Sequence, residues 1–279
     1  MRDAPGYRAA SMSEPERHDL GTPFLRLERE GHLAWCTIDR PASRNALSAA
    51  MYFGVKRAVR LVNSWAEPTA LVITGVGDVF APGGELRGRV EDPNPVLEQL
   101  GTDEVLPFEA VRQSAAPVVS AVNGLCQGGG LLIAMLSDVA VASDRATFRA
   151  PELLRGIADT GYAAYLPAHV GLANARDLLL TGRTLDAGEA LRIGLIARVV
   201  PHERLREEAV AAAESILRTG PEARLHVKRI LNERYGHVDR MTMDWSLFRG
   251  SEAREGMRAF AEKRAPAWIP DALRTGKRL

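Results

Sequence analysis

The sequence has 279 residues, of which 46% are hydrophobic and 25% are charged, values typical of a globular protein long enough to bury a large core. Its formal net charge of +1 argues against an extended electrostatic surface for nucleic acid or for an anionic membrane. No apolar run approaches the roughly 20 residues that a membrane span requires, and no signal-peptide core follows Met1. We therefore expect a cytoplasmic protein without nucleic-acid or membrane partners.

The cysteines and histidines exclude two further classes. Cys36 and Cys126 both lie within apolar segments, which is typical of buried free thiols in a reducing compartment. The six histidines show no spacing characteristic of metal ligands. The sequence therefore predicts neither a disulfide framework nor a catalytic metal.

The N-terminal part predicts an extension, a hairpin and a helix. The first 20 residues are polar and lack periodicity, so we expect disorder there and order from about Phe24. Two segments, 24–30 and 33–38, predict a β-hairpin. An amphipathic helix is predicted from Asn45 to about Ser64, and a short buried strand over 70–74 follows it.

Two glycine turns come next. The first lies within residues 80–86, ahead of an acidic, loop-like stretch at 87–104, and the second joins the apolar run 117–122 to a helix starting at Leu131. Glycines allow a backbone to approach a ligand closely, and a helix N-terminus offers unpaired N–H groups and a positive dipole end. The second turn, residues 128–130, is therefore suited to a carbonyl oxygen that becomes negative during reaction. The alternative is tight packing of strand against helix with no role in binding.

The C-terminal part is predicted to be helical. Helical spacing is found over 174–181, 186–193, 201–218, 221–233 and 239–265, after a helix over 106–115 and a short strand over 146–149. The chain therefore consists of an α/β core with a helical part attached to it, and it ends in a tail.

Several short motifs occur in a characteristic order over roughly residues 24–265. They are Ile38-Asp39-Arg40-Pro41 with Asn45-Ala46-Leu47, Val72-Ile73-Thr74-Gly75 with residues 80–86, residues 123–130 with Asp138, Ala150-Pro151-Glu152, residues 179–183 with 187–190, residues 194–196 with 199–201, and residues 255–264. In this order they resemble the motifs of the crotonase, or enoyl-CoA hydratase/isomerase, superfamily.

The resemblance implies an α/β fold, a crotonase-like spiral of ββα units with a C-terminal helical trimerisation region. On this basis we divide the chain into an N-terminal extension (1–20), a spiral core (21–200), a helical oligomerisation region (201–265) and a tail (266–279). It also implies a homotrimer or a dimer of trimers. The implied substrate is an acyl-CoA thioester, so that coenzyme A enters as part of the substrate and no separate cofactor is expected.

The resemblance also implies the residues that do the chemistry. The backbone N–H groups of Gly84 and Gly129 match the two donors that hold the thioester oxygen, and Glu152 matches one of the two glutamates of hydratases. The position of the other glutamate is occupied by Leu132. One carboxylate alone is poorly suited to hydration by the two-acid scheme, whereas one base is enough to move a proton between carbons. We therefore expect double-bond isomerisation of an enoyl-CoA with Glu152 as the single base.

Two alternatives remain open at this point. Asp159 offers another acid, because some isomerase-like relatives carry an aspartate in the corresponding loop; its other possible role is that of a helix N-cap ahead of Thr160. With a non-standard second acid, either Asp159 or one from the acidic stretch at 87–104, the protein is an enoyl-CoA hydratase. If its acids do no chemistry, it is a non-catalytic acyl-CoA binder.

Five residues match coenzyme A contacts of relatives. Arg44 matches a contact to the CoA phosphates, and the backbone of Ala46 and Leu47 matches the adenine site. Phe260 and Lys263 match positions that reach the adenine and its 3′-phosphate, often across a subunit boundary. For this last pair, an amphipathic packing helix with a solvated lysine is the alternative.

Overall fold

The computed structural model describes residues 18–85, 106–235 and 250–269. Residues 1–17 of the predicted extension, the acidic loop at 87–104 and residues 270–279 of the tail lie outside these ranges. Packed structure begins earlier than the predicted Phe24, because Leu20 is buried and its carbonyl accepts a hydrogen bond (2.9 Å) from Arg57.

Strands and helices alternate through the first two thirds of the described chain. The strands are β1 (Leu25–Glu30), β2 (Leu33–Ile38), β3 (Ala70–Gly75), β4 (Val79–Ala81), β5 (Val118–Val122), β6 (Leu125–Gln127), β7 (Val139–Ser143), β8 (Thr147–Arg149), β9 (Leu185–Asp186) and β10 (Arg198–Val200). The helices are α1 (Ala49–Ser64), α2 (Pro107–Arg112), α3 (Gly129–Leu136), α4 (Thr160–Thr181), α5 (Ala187–Arg192), α6 (Leu205–Leu217), α7 (Pro221–Arg234) and α8 (Ser251–Ala261). None of these helices has both the length and the apolar character that a membrane crossing needs.

The strands form two sheets. The larger has the order β1-β2-β3-β5-β7-β10 and is parallel except for the β1–β2 hairpin. The smaller has the order β4-β6-β8-β9 and is antiparallel only between β8 and β9. From β3 to β8, each pair of consecutive strands places one strand in each sheet. The chain therefore winds as a spiral of ββα units, as predicted.

Both faces of the larger sheet are covered by helices. On β3, Leu71 and Ile73 face the main core, which includes residues of α1 and α3, whereas Val72 faces a second cluster. This alternation follows from the two-residue period of a strand. The second cluster contains Ala209, Ala212 and Ala213 of α6, so the predicted helical region packs directly on the sheet.

The structure differs from the predictions mainly in short elements. The strands β4, β6, β9 and β10 contain only two or three residues each, too few to show a periodic pattern. The part of α4 that precedes Gly171 was not predicted. Gly171 has a φ of +76° and separates this part from the helix predicted over 174–181. Of the helix predicted over 239–265, the structure describes α8.

Asp138 links the sheet to the helical region. Its carboxylate accepts a hydrogen bond from the N–H of Val118 at the start of β5 (2.8 Å) and pairs with Lys228 of α7 (2.8 Å). Both side chains of this ion pair are largely buried, at 18% and 12% exposed. Asp138 therefore anchors the start of β5 and links it to α7.

Replacing Asp138→Ala leaves the Val118 N–H and the Lys228 ammonium without their acceptor. We expect the free energy of unfolding, measured by urea titration, to fall by about 2–3 kcal/mol. The exposed pair Arg229 and Glu233 provides the control, since these side chains are 65% and 70% exposed. Glu233→Ala should change the free energy of unfolding by less than about 0.5 kcal/mol. Equal losses in the two variants would contradict the anchoring role.

Candidate active site

The first glycine turn follows β4 and pairs with the segment ahead of α1. The N–H of Leu47 donates to the Gly83 carbonyl (2.9 Å), and the N–H of Glu85 donates to the Leu47 carbonyl (2.9 Å). In a parallel ladder, successive residues point their polar groups to opposite sides, so the Gly84 N–H faces away from Leu47. The Gly84 N–H therefore takes no part in the pairing with Leu47.

A network of polar side chains fixes this turn. Arg40 makes two hydrogen bonds to the carboxylate of Glu85 (2.9 and 3.0 Å) and one to the carbonyl of Ala46 (3.0 Å). The buried side chain of Asn45 accepts from the N–H of Arg40 (3.0 Å) and donates to the Val79 carbonyl (2.7 Å). The motif residues 40–46 therefore hold the first turn against the strand that precedes it.

The second glycine turn joins β6 to α3. Gly128 is the N-cap residue, with a φ of +52°, and α3 begins at Gly129 rather than at the predicted Leu131. The prediction missed the start because glycine has a low helix propensity and gives no apolar pattern. The earlier start places the Gly129 N–H among the first N–H groups of the helix, which have no intrahelical partner.

The two turns touch each other. A Cβ atom added at Gly83 would lie 3.2 Å from the Cα of Gly128, and one added at Gly128 would lie 3.1 Å from the Cα of Gly83. Side chains at either position would push the turns apart, which explains the glycines in both motifs. The residues that follow them, Gly84 and Gly129, therefore come from adjoining segments, as the resemblance to the superfamily requires.

Tyr162 holds the peptide group between Gly128 and Gly129. Its hydroxyl, fully buried, donates to the Gly128 carbonyl (2.6 Å). This carbonyl belongs to the same peptide group as the Gly129 N–H, which points in the opposite direction because the peptide is trans. The bond therefore fixes the direction of the Gly129 N–H and polarises it. Sequence reasoning missed Tyr162, because a single tyrosine in a helix carries no motif.

Glu152 lies directly beside the second turn. Its Oε1 atom is 2.8 Å from the point that a Cβ of Gly128 would occupy, and its buried Oε2 atom has no hydrogen-bond partner among the described residues. Burial, reinforced by the negative charge of Asp159, raises the pKa of Glu152 to about 8, against weaker opposing effects of a backbone hydrogen bond, Arg155 and Arg149. A carboxylate whose pKa is raised in this way is a stronger base than one in water, which suits proton transfer from carbon.

Asp159 has the N-cap role that was considered for it. Its side chain accepts a hydrogen bond from the N–H of Tyr162 (3.1 Å) in the first turn of α4. Burial also raises the pKa of Asp159 to about 6. Asp159 is therefore close enough to Glu152 to affect its charge while serving as a structural cap.

Leu132 occupies the first turn of α3 and is buried. Its Cδ atoms lie 3.8 Å from the point that a Cβ of Gly161 would occupy, at the start of α4. The side chain thus packs apolar atoms against the segment that carries Asp159 and Tyr162. The position expected for a second hydratase glutamate is filled by a hydrocarbon.

The matched coenzyme A residues fall into two groups. Ala46 and Leu47 run alongside the first glycine turn, and Arg44 precedes them with a φ of +50°. Phe260 and Lys263 belong to α8 and the turn after it, where Lys263 has a φ of +56°. The structure therefore brings only the first group together with the glycine turns.

Helix α8 nevertheless packs against the segment that carries Glu152. A Cβ added at Gly256 would lie 2.2 Å from the carbonyl oxygen of Arg155, and the guanidinium of Arg155 lies 5.5 Å from the centre of the Phe260 ring. Phe260 is half exposed (49%). The C-terminal helix thus packs on the segment that carries Glu152.

Comparison with known proteins agrees with this geometry. Residues 28–270 match the family model described as enoyl-CoA hydratase/isomerase. A probable enoyl-CoA hydratase of Rhizobium meliloti (strain 1021) is 34% identical over 250 residues, which cover 86% of this chain and 95% of the relative.

Two solved structures show the same fold. An enoyl-CoA hydratase/isomerase from Pseudoalteromonas atlantica T6c aligns with a TM-score of 0.75 and 30% identity, covering 88% of this chain and 100% of the other. A monofunctional enoyl-CoA isomerase from M. smegmatis aligns with a TM-score of 0.63 and 30% identity, covering 76% and 94%.

The spiral of ββα units and the paired glycine turns define an enzyme with the α/β fold of the crotonase superfamily. The chain belongs to the enoyl-CoA hydratase/isomerase family. The resemblance read from the sequence is confirmed. The relatives include proteins named as hydratases and one named as an isomerase, so membership alone does not select the reaction.

The contact between the turns gives a testable prediction. Gly128→Ala places a Cβ 2.8 Å from Glu152 Oε1 and 3.1 Å from the Cα of Gly83. We expect the variant to lose roughly 100-fold or more in turnover of an acyl-CoA substrate, because both turns and the carboxyl group must move. Gly77→Ala is the matched control, since Gly77 also has a positive φ (+69°) but has no atom within 4 Å of the added Cβ. It should keep its activity and lose only about 1 kcal/mol of stability. Equal losses of activity would contradict the steric explanation.

Proposed function

We propose that this protein is an enoyl-CoA isomerase that moves a carbon–carbon double bond with Glu152 as its single base. The observation that carries the proposal is the pairing of a buried carboxyl group, Glu152, with a hydrocarbon, Leu132, at the position of the second hydratase acid. One structural relative is named as an isomerase, which is consistent with the proposal.

The reaction needs one proton carrier and one oxyanion site. The Glu152 carboxylate takes a proton from C2 of a 3-enoyl-CoA, and the electron pair of the broken C–H bond passes through C1 to the thioester oxygen. The N–H groups of Gly84 and Gly129 stabilise the resulting dienolate. Glu152 then returns the proton to C4, and the double bond forms between C2 and C3.

A second candidate function, enoyl-CoA hydratase, has one observation in its favour. The charge of Asp159 raises the pKa of Glu152, so two carboxyl groups lie close to each other in the site. In this alternative Asp159 serves as the non-standard second acid for the addition of water. Several relatives are named as hydratases.

The remaining parts of the proposal concern binding and assembly. We propose that Arg44, Ala46 and Leu47 bind coenzyme A as part of the substrate, with Phe260 and Lys263 reaching it from a neighbouring subunit. Helix α7 exposes four large apolar side chains, Leu225, Val227, Ile230 and Leu231, which supports burial in a homotrimer or dimer of trimers. A cytoplasmic location is part of the same proposal.

Glu152→Gln tests the assignment of the base. With 3-enoyl-CoA, we expect the conjugated thioester absorbance to rise in the parent protein and turnover to fall at least about 1,000-fold in the variant. Glu222→Gln, whose side chain is 90% exposed, is the control and should keep full activity. Full activity in Glu152→Gln would contradict the role of Glu152.

The stability of Glu152→Gln tests whether the Glu152 carboxyl group is buried. Because the folded state raises the pKa of Glu152 from 4.5 to about 8, the stability that protonated Glu152 contributes is lost as the pH rises through that range. Gln carries no charge, so Glu152→Gln should be at least as stable as the parent at pH 8. Binding of a saturated acyl-CoA should remain, which separates loss of the base from loss of the site.

The pH dependence of kcat/KM tests the electrostatic coupling between Glu152 and Asp159. Since Glu152 acts in its deprotonated form, kcat/KM should rise as the pH increases through about 8. Asp159→Asn removes the negative charge that raises this pKa, yet Asn remains a good N-cap. The rise should therefore move to lower pH in the variant while isomerisation continues. An unmoved midpoint would refute the coupling, and a complete loss of turnover would favour Asp159 as a second acid.

A further inference from the structure

Tyr52 brings a hydroxyl group to the second glycine turn. The residue lies in the first turn of α1, and its hydroxyl oxygen is 2.0 Å from the point that a Cβ of Gly129 would occupy. Because a Cα–Cβ bond is about 1.5 Å long, the hydroxyl lies within about 3.5 Å of the Gly129 Cα. Tyr52 lies outside the motifs that resemble those of the superfamily.

The hydroxyl lies on the side of Gly129 to which its N–H points. Gly129 is the first residue of α3 and therefore has a helical φ of about −60°. At this φ the N–H bond and the direction of a Cβ are nearly eclipsed about the N–Cα bond. The place where a Cβ would stand, now filled by the Tyr52 hydroxyl, thus adjoins the place where an oxygen bound to the Gly129 N–H would lie.

The ring of Tyr52 is held in this orientation. It packs edge-on against Phe108 of α2, with ring centres 5.3 Å apart and an angle of 69° between the planes. The helix that carries it is capped by Ser48, whose side chain accepts a hydrogen bond from the N–H of Met51 (3.3 Å). Tyr162 and Tyr52 therefore approach one peptide group, Tyr162 at its carbonyl and Tyr52 on the side of its N–H.

We infer that Tyr52 is a catalytic residue whose hydroxyl donates a third hydrogen bond to the thioester oxygen held by Gly84 and Gly129. The inference rests on the proposed function, because the bond strengthens as that oxygen becomes the enolate. A phenol carries no charge at neutral pH and has one proton to donate. Tyrosine hydroxyls stabilise enolates in this way in other enzymes.

Tyr52→Phe removes only the hydroxyl. We expect kcat for isomerisation of 3-enoyl-CoA to fall roughly 10-fold to 100-fold, with KM changed by less than about twofold, because the bond forms mainly in the transition state. Tyr165→Phe is the matched control, since its hydroxyl lies against the carboxylate of Glu109 and not against Gly129. It should keep the parent kcat. A kcat for Tyr52→Phe equal to that of the parent would overturn the inference.

A spectroscopic measurement tests the hydrogen bond from Tyr52 to the thioester oxygen in a complex that does not react. Bound 4-dimethylaminocinnamoyl-CoA absorbs at longer wavelength when its thioester carbonyl is polarised. We expect a red shift on binding to the parent and to Tyr165→Phe, and a smaller shift with Tyr52→Phe. If Tyr52→Phe does not fold, Tyr52→Met also lacks the donor and gives the same readout.

The outcomes separate the inference from the function on which it rests. A red shift in the parent that Tyr52→Phe retains in full would overturn the role of Tyr52 and leave the proposed function intact. No binding and no shift in the folded parent would overturn the acyl-CoA site itself, and the inference with it.

Discussion

The contact between a buried carboxyl group and two touching glycine turns is the constraint on which the rest of the site depends. Glu152 Oε1 lies where a side chain at Gly128 would have to pass, and Gly128 in turn lies against Gly83. Burying the Glu152 carboxyl group, whose Oε2 atom has no hydrogen-bond partner among the described residues, costs free energy and raises its pKa.

Three sets of contacts hold the two turns and the Glu152 segment in place. Arg40 and Asn45 fix the first turn, and Tyr162 fixes the carbonyl of the second. Behind Glu152, α8 packs so tightly that a Cβ at Gly256 would overlap the Arg155 backbone. The spiral topology explains why residues so far apart in sequence meet, because successive units add neighbouring strands, β4, β6 and β8, to the smaller sheet.

The sequence predicted the parts of the structure that leave a local pattern. The spiral core, both glycine turns and Glu152 beside Pro151 could be read from apolar runs, glycines and the order of motifs. The N-cap alternative for Asp159 was predictable because a short polar side chain ahead of a helix satisfies its free N–H groups.

The parts that were not predicted depend on tertiary contacts. Tyr162 and Tyr52 are single aromatic residues on helices, and only packing brings their hydroxyl groups to the peptide between Gly128 and Gly129. The start of α3 at Gly129 is stabilised by its surroundings and not by helix propensity.

Isotope labelling tests the central claim, that Glu152 moves a proton between carbons without adding water. The parent protein is incubated with 3-enoyl-CoA in water enriched in both deuterium and oxygen-18, and the product is analysed by mass spectrometry. The account predicts a 2-enoyl-CoA that contains no oxygen-18, with deuterium only where the proton on Glu152 exchanges with solvent. No formation of 2-enoyl-CoA from 3-enoyl-CoA, together with a 3-hydroxyacyl-CoA that carries oxygen-18 when 2-enoyl-CoA is supplied instead, would contradict it and establish hydration.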